Sequence, residues 1–131
     1  MPGPMTITRL HHSAVCVTDI ERSKRFYAEV LGLQEVARPD FDFEGAWYEF
    51  ADGSQLHLIV HDTPLALRGT RSIDTRDGHL ALRVDSYEAT LGRLTALGVE
   101  HQAYRDNKTP WAQIYLTDPD GNVVELNAER R

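Results

Sequence analysis

Hydrophobic and polar positions alternate from Leu10 to Val17, which predicts a strand. Ser13, Val15 and Val17 fall on one face, and Leu10, His12, Ala14 and Cys16 on the other. The period then changes to 3.6. Thr18-Asp19-Ile20-Glu21 reads as a capping box at Thr18, and Ile20, Phe26, Tyr27, Val30 and Leu31 form a helical stripe ending at Gly32, a left-handed cap position. Extended segments are predicted at Gln34–Ala37, Ala46–Phe50 and Gln55–Val60, with Asp52-Gly53 as the hairpin signal between the last two. Together these make one βαβββ unit.

Residues 61–78 contain Pro64, Gly69 and no sustained period, so they read as a connection. The pattern then restarts. His79–Val84 is a strand, Asp85-Ser86-Tyr87-Glu88 a second capping signal, and Tyr87, Leu91, Leu94 and Leu97 a helical stripe ending at Gly98. Val99–Tyr104, Ala112–Leu116 and Asn122–Asn127 supply three more strands. Equivalent landmarks keep a nearly constant offset: His12 to His79 and Val17 to Val84 are 67 residues apart, Gly32 to Gly98 is 66, and His57 to Glu125 is 68. The expected fold is α+β, with two tandem βαβββ modules (about 7–60 and 79–127) forming a cupped, largely antiparallel sheet with the helices outside, as one domain over 1–131.

The duplication sets His12 opposite His79 on first strands and His57 opposite Glu125 on last strands. By alternation all four point away from the aliphatic, helix-facing residues and onto one inner face. Glu125 stands mid-strand among Val123, Val124 and Leu126. A carboxylate there reaches solvent, pairs with a cation or binds a metal. One strand histidine is usually a hydrogen-bonded structural residue, but four such groups coinciding with a repeat favour a site. Imidazole and carboxylate donors suit Zn, Ni, Co, Mn or Fe, and three or four of them leave room for water or a small substrate. His11 reads as structural and helix-facing, His61 and His101 as solvated, Cys16 as packing, and Asp118 and Asp120 as turn residues before Gly121. Arg83, Trp47, Trp111 and Tyr115 are the substrate-facing candidates, with Arg71, Arg105 and Lys108 in flanking loops; pairing with Glu49 or Asp106 is the alternative for each arginine.

Composition narrows the partners. A net charge of −6 argues against nucleic acid or anionic membrane, and one cysteine in 131 residues excludes an internal disulfide framework and fits a reducing compartment. No stretch approaches the ~18 apolar residues of a membrane span, so the expected location is cytoplasmic.

His12, the Phe26-Tyr27…Val30-Leu31-Gly32-Leu33 run, His79–Val84, Leu97-Gly98-Val99 and Asp118-Pro119-Asp120-Gly121-Asn122…Glu125-Leu126 resemble the vicinal oxygen chelate superfamily of glyoxalases, bleomycin-resistance proteins and extradiol dioxygenases. The resemblance spans about Ile7 to Asn127. It implies a divalent metal on His12, His79 and Glu125, and a homodimer with sites at or near the subunit interface. His57 stands where glyoxalase I and methylmalonyl-CoA epimerase-like members carry Glu or Gln, so His57 ligates or acts as base, or Glu125 is the mobile base. Ile59–Pro64 departs from the Asn-Trp-Gly sequence of bacterial glyoxalase I, which argues against glutathione, and residues 38–47 look more like a glyoxalase-like branch. The implied function is a glyoxalase-like lyase or isomerase acting on a small oxygen-chelating substrate. The alternatives are an Fe(II) extradiol-type dioxygenase, a fosfomycin-type thiol or water transferase, and a metal-free drug-binding resistance protein.

Overall fold

Each module folds around the switch from two-residue to helical periodicity seen in its first thirty residues. In the computed structural model, which describes residues 3–61 and 72–130, module one runs β1 (His12–Val17), α1 (Ile20–Lys24) continued by a π-helical turn (Arg25–Val30), β2 (Gln34–Val36), β3 (Gly45–Glu49) and β4 (Gln55–Val60). Module two runs β5 (His79–Arg83), α2 (Tyr87–Ala96), β6 (Gln102–Tyr104), β7 (Trp111–Thr117) and β8 (Val123–Glu129). Pro64, Gly69 and Arg71, in the predicted connection, lie outside the described residues.

Two four-stranded sheets result, ordered β1-β4-β3-β2 and β5-β8-β7-β6. The first and last strands of each module pair in parallel and the other neighbours antiparallel, so each sheet is mixed. The same topology in both halves is the structural counterpart of the sequence repeat. Leu56 and Leu58 of β4, Ala46 and Tyr48 of β3, Ile114 and Leu116 of β7, and Val124 and Leu126 of β8 join Phe26, Tyr27 and Leu94 from the helices in one core. The predicted alternation therefore holds: the helix-facing sides of both sheets share this core, leaving the opposite sides for His12, His57, His79 and Glu125.

Two local expectations are corrected. The first helix is capped by Asp19, whose carboxylate accepts from the Arg22 amide, rather than by Thr18. Thr18 is diverted to the other module, where its hydroxyl and amide both donate to Asp120. The helix also widens into a π turn, with Leu31 N–H donating to Phe26 C=O, and consecutive Phe26 and Tyr27 are both buried there.

That burial ties the modules together. Tyr27 donates its hydroxyl to Asp118 at 2.8 Å, and Asp118 also accepts from the Asp120 and Asn122 amides and the Asn122 side chain. Gly121 takes a φ of 89°, which closes this turn and would strain any other residue. Asn122 then donates to the Cys16 carbonyl of β1. The turn residues inferred for Asp118 and Asp120 thus also anchor β8, the strand that carries Glu125.

Candidate metal centre

β8 presents Glu125 on the side away from the core, opposite Ala81 of β5 and Tyr115 of β7. It is only 5% exposed. A carboxylate buried to that degree requires partners, and it has three: Tyr115 donates its hydroxyl to Oε1 at 2.9 Å, Asn127 donates its amide to Oε2 at 2.7 Å, and His79 Nε2 lies 3.2 Å from Oε1. Tyr115 is pushed up to about 12 by burial, then by its bond to Glu125, so it stays a donor at neutral pH. Arg83 donates to the Asn127 side-chain oxygen at 2.7 Å, and Gln113 donates to the Tyr115 hydroxyl, which extends the network along the sheet.

The tautomers follow from these contacts. His79 Nδ1 lies 2.6 Å from the Asp77 carbonyl, which only accepts, so Nδ1 carries a hydrogen. In the neutral ring Nε2 is then a lone pair aimed at a carboxylate oxygen. Two acceptors at 3.2 Å repel unless positive charge stands between them, either a proton on Nε2 or a metal ion. A histidine that holds a backbone carbonyl with one nitrogen and offers the other beside a carboxylate has the orientation metal-ligating histidines use.

The first module offers a second pair. His57 is sandwiched between Trp47 (ring centroids 4.1 Å apart) and His12 (4.2 Å), both nearly parallel to it. Gln55 donates to Glu49, which leaves its side-chain oxygen for His57 Nε2 at 2.8 Å, so His57 Nδ1 is the free lone pair. Burial, then the neighbouring His12, His11 and Arg38, hold the His57 pKa below the usual histidine value. A neutral imidazole is the form that binds metal. His12 is exposed, with Nδ1 2.8 Å from His11 Nδ1; His11, expected to face the helix, instead sits beside the site and is exposed.

The four candidate ligands are therefore brought together two by two, His12 with His57 on one sheet and His79 with Glu125 on the other. Among the described residues no three His, Cys, Asp or Glu side chains converge. The modules meet at a cleft of about 260 Å³ lined by Ser13, Ala14, Gly78, His79, Asn122 and Val123. Trp47 packs on His57, and Tyr115 binds Glu125, as candidates for the site wall. Trp111 lies under the Arg83 guanidinium at 5.9 Å, and Arg105 is engaged by Glu88 and Asp106. Sequence reading gave no role to Asn127 or Gln55; their spacing of two from Glu125 and His57 along the same strands is the signal that finds them.

The family model of the Glyoxalase/Bleomycin resistance protein/Dioxygenase superfamily matches residues 9–126. Glyoxylase I 4 of Arabidopsis thaliana is 29% identical over 127 residues, covering 95% of this chain and 72% of that protein. Catechol-2,3-dioxygenase of Bacillus subtilis (strain 168) is 30% identical over 126 residues, covering 94% of this chain but 42% of its own length. Among solved structures, a glyoxalase/dioxygenase from Nostoc punctiforme superposes with a TM-score of 0.77 at 21% identity, covering 100% of this chain and 97% of the other. Among the described residues no helix is long and apolar enough to cross a membrane.

Proposed function

From the premise that this chain belongs to the Glyoxalase/Bleomycin resistance protein/Dioxygenase superfamily, we propose that it is a divalent-metal-dependent lyase or isomerase acting on a small substrate through neighbouring oxygens. His12, His57, His79 and Glu125 would hold the metal. The observation that carries this reading is the His79–Glu125 contact, in which a carbonyl-fixed imidazole turns its free nitrogen onto a buried carboxylate. When bound, the cation supplies Lewis-acid polarisation of the substrate oxygens.

The chain's own groups do the rest. Tyr115 and Asn127 fix both oxygens of Glu125, so a proton taken from carbon or returned to it passes at a defined position. Where its Nδ1 lone pair is not on the metal, His57 is the second proton-carrying candidate, stacked between Trp47 and His12 with its pKa held below the usual histidine value by burial. Each module of one chain presents two donors, and completion of the set is assigned to a homodimer that joins the first-module pair of one copy to the second-module pair of the other. The test is conversion of the hemithioacetals formed from methylglyoxal and a panel of thiols, before and after chelation. Activity that disappears with chelator and returns with one of Zn, Ni, Co or Mn supports the reading. Full activity in metal-free protein would overturn it.

An Fe(II) ring-cleaving dioxygenase is the second reading, favoured by the likeness to catechol-2,3-dioxygenase. It requires oxygen uptake with a catechol in Fe(II)-loaded protein.

A further inference from the structure

The segment between β2 and β3 places on the same sheet face as His12 and His57 a cation that forms no ion pair among the described residues. Arg38 lies with its guanidinium over Gly45: a side chain added at Gly45 would meet Arg38 Nη2 at 3.3 Å and Cζ at 3.5 Å. Gly45 is two residues before Trp47 on β3, so the two share a face, and that face is the one on which Trp47 stacks upon His57. Phe41 and Phe43 stack on each other at 5.1 Å and hold the guanidinium at 5.0 and 5.4 Å from their centroids. Phe41 also reaches Trp47 at 6.2 Å. His12, His57, Trp47, Phe41 and Phe43 thus form one continuous aromatic strip, with Arg38 at its far end.

The hydrogen bonding of Arg38 is incomplete. A guanidinium has five N–H donors. Among the described residues it makes one hydrogen bond, from Nη2 to the Phe43 carbonyl at 3.0 Å, and no ion pair, although Asp40, Asp42 and Glu44 are close in sequence. Its Nε is buried without a partner. The buried Nε stays beneath the group, so the donors left for an anion are the Nη hydrogens not taken by Phe43, and a carboxylate or phosphonate is an acceptor that a guanidinium binds with charge assistance. Successive same-face positions on a strand are roughly 6.5–7 Å apart, so the cation sits about one small ring beyond the Trp47–His57 stack.

We infer that Arg38, with Phe41, Phe43 and Trp47, forms a specificity subsite for the anionic end of a flat organic substrate whose neighbouring oxygens lie at the His12–His57 end. This deepens the proposed function and rests on that reading only for which end carries the oxygens; the anion subsite itself does not depend on metal.

The probes are 3,4-dihydroxybenzoate and its uncharged analogue 4-methylcatechol, titrated by tryptophan fluorescence against wild type, Arg38→Met and Arg38→Lys, in chelator-treated and Mn(II)-loaded protein. Wild type is expected to prefer the carboxylated probe by about tenfold in both states, the size of one charge-assisted contact. Arg38→Met should lose that preference with 4-methylcatechol binding unchanged, and Arg38→Lys should keep part of it. Unchanged 4-methylcatechol binding also shows that Arg38→Met remains folded. Equal affinity of the two probes in wild type, or a preference that survives Arg38→Met, would overturn the subsite. Failure of the metal reading has a different signature, since Mn(II) would then leave the affinity of both probes unchanged while the charge preference remained.

Discussion

Tyr27→Phe removes one hydroxyl from the core and tests how the two modules are joined. The hydroxyl is fully buried and donates at 2.8 Å to Asp118, which receives three further donors from Asp120 and Asn122. Hydrogen bonds to charged groups contribute about 1.5–3 kcal/mol. Because three donors remain, the lower part of that range applies, about 1.5–2 kcal/mol, or roughly 6–8 °C in Tm for a chain of this size. The variant leaves no cavity larger than one oxygen, so packing adds little. The pH dependence separates this account from a packing defect. Burial raises the Asp118 pKa above 3.8, while the bonds from Asn122 and Tyr27 oppose the rise. Removing Tyr27's bond raises it further, so the folded variant is penalised where Asp118 is ionised in wild type. The stability deficit should be full at neutral pH and shrink as pH falls through the raised Asp118 pKa, first of the variant and then of wild type, below which the carboxyl is protonated in both proteins. Urea unfolding followed by circular dichroism across this range is the assay. A deficit below about 0.5 kcal/mol, or one independent of pH, would refute the reasoning.

Gly45→Ala drives a Cβ into the Leu58 carbonyl oxygen across the strand pair, so a loss of about 1–3 kcal/mol is expected in thermal melts; an unchanged Tm would contradict it. Tyr115→Phe frees one oxygen of Glu125 from its donor and should weaken metal binding about 10–100-fold by calorimetric titration with the fold intact; unaltered affinity would remove Tyr115 from the site. In metal-free protein, His57 has a pKa below its ordinary 6.5 because of burial. The unfolded chain therefore takes up this proton first, and stability is lost as pH falls from 6.5 through the folded value. His57→Phe should flatten that part of the curve of urea midpoint against pH, and an unchanged slope would place the dependence on another group.

The sequence carried the module plan because each strand's alternation and each helix's stripe recur at an offset of 66 to 68 residues. His57 and Glu125 were legible as anomalies, polar groups inside aliphatic strands. The partners of these groups were less legible. Nothing local distinguishes Thr18 as a cap from Thr18 as a donor to Asp120, because that choice is made by a residue 102 positions away. Widening of the helix at Arg25–Val30 likewise accompanies burial of Tyr27 and its reach to Asp118, a tertiary demand that helical spacing does not encode. Alternation placed all four candidate ligands on inner faces. It carried no information on how the two sheets stand to each other, which is why two pairs emerged rather than one cluster. The place of Arg38 over Gly45 was not legible, because a loop residue's approach to a strand seven positions on is set by the tertiary fold and not by any periodicity.

We propose that Glu125 and the three histidines hold a metal. Elemental analysis of protein purified without chelator or affinity tag, in wild type and Glu125→Gln, tests it most directly. About one divalent ion per chain in wild type, reduced to background in a folded Glu125→Gln, is the expected result. Wild type that takes up no Zn, Ni, Co, Mn or Fe even after loading, or Glu125→Gln that retains the full complement, would contradict it.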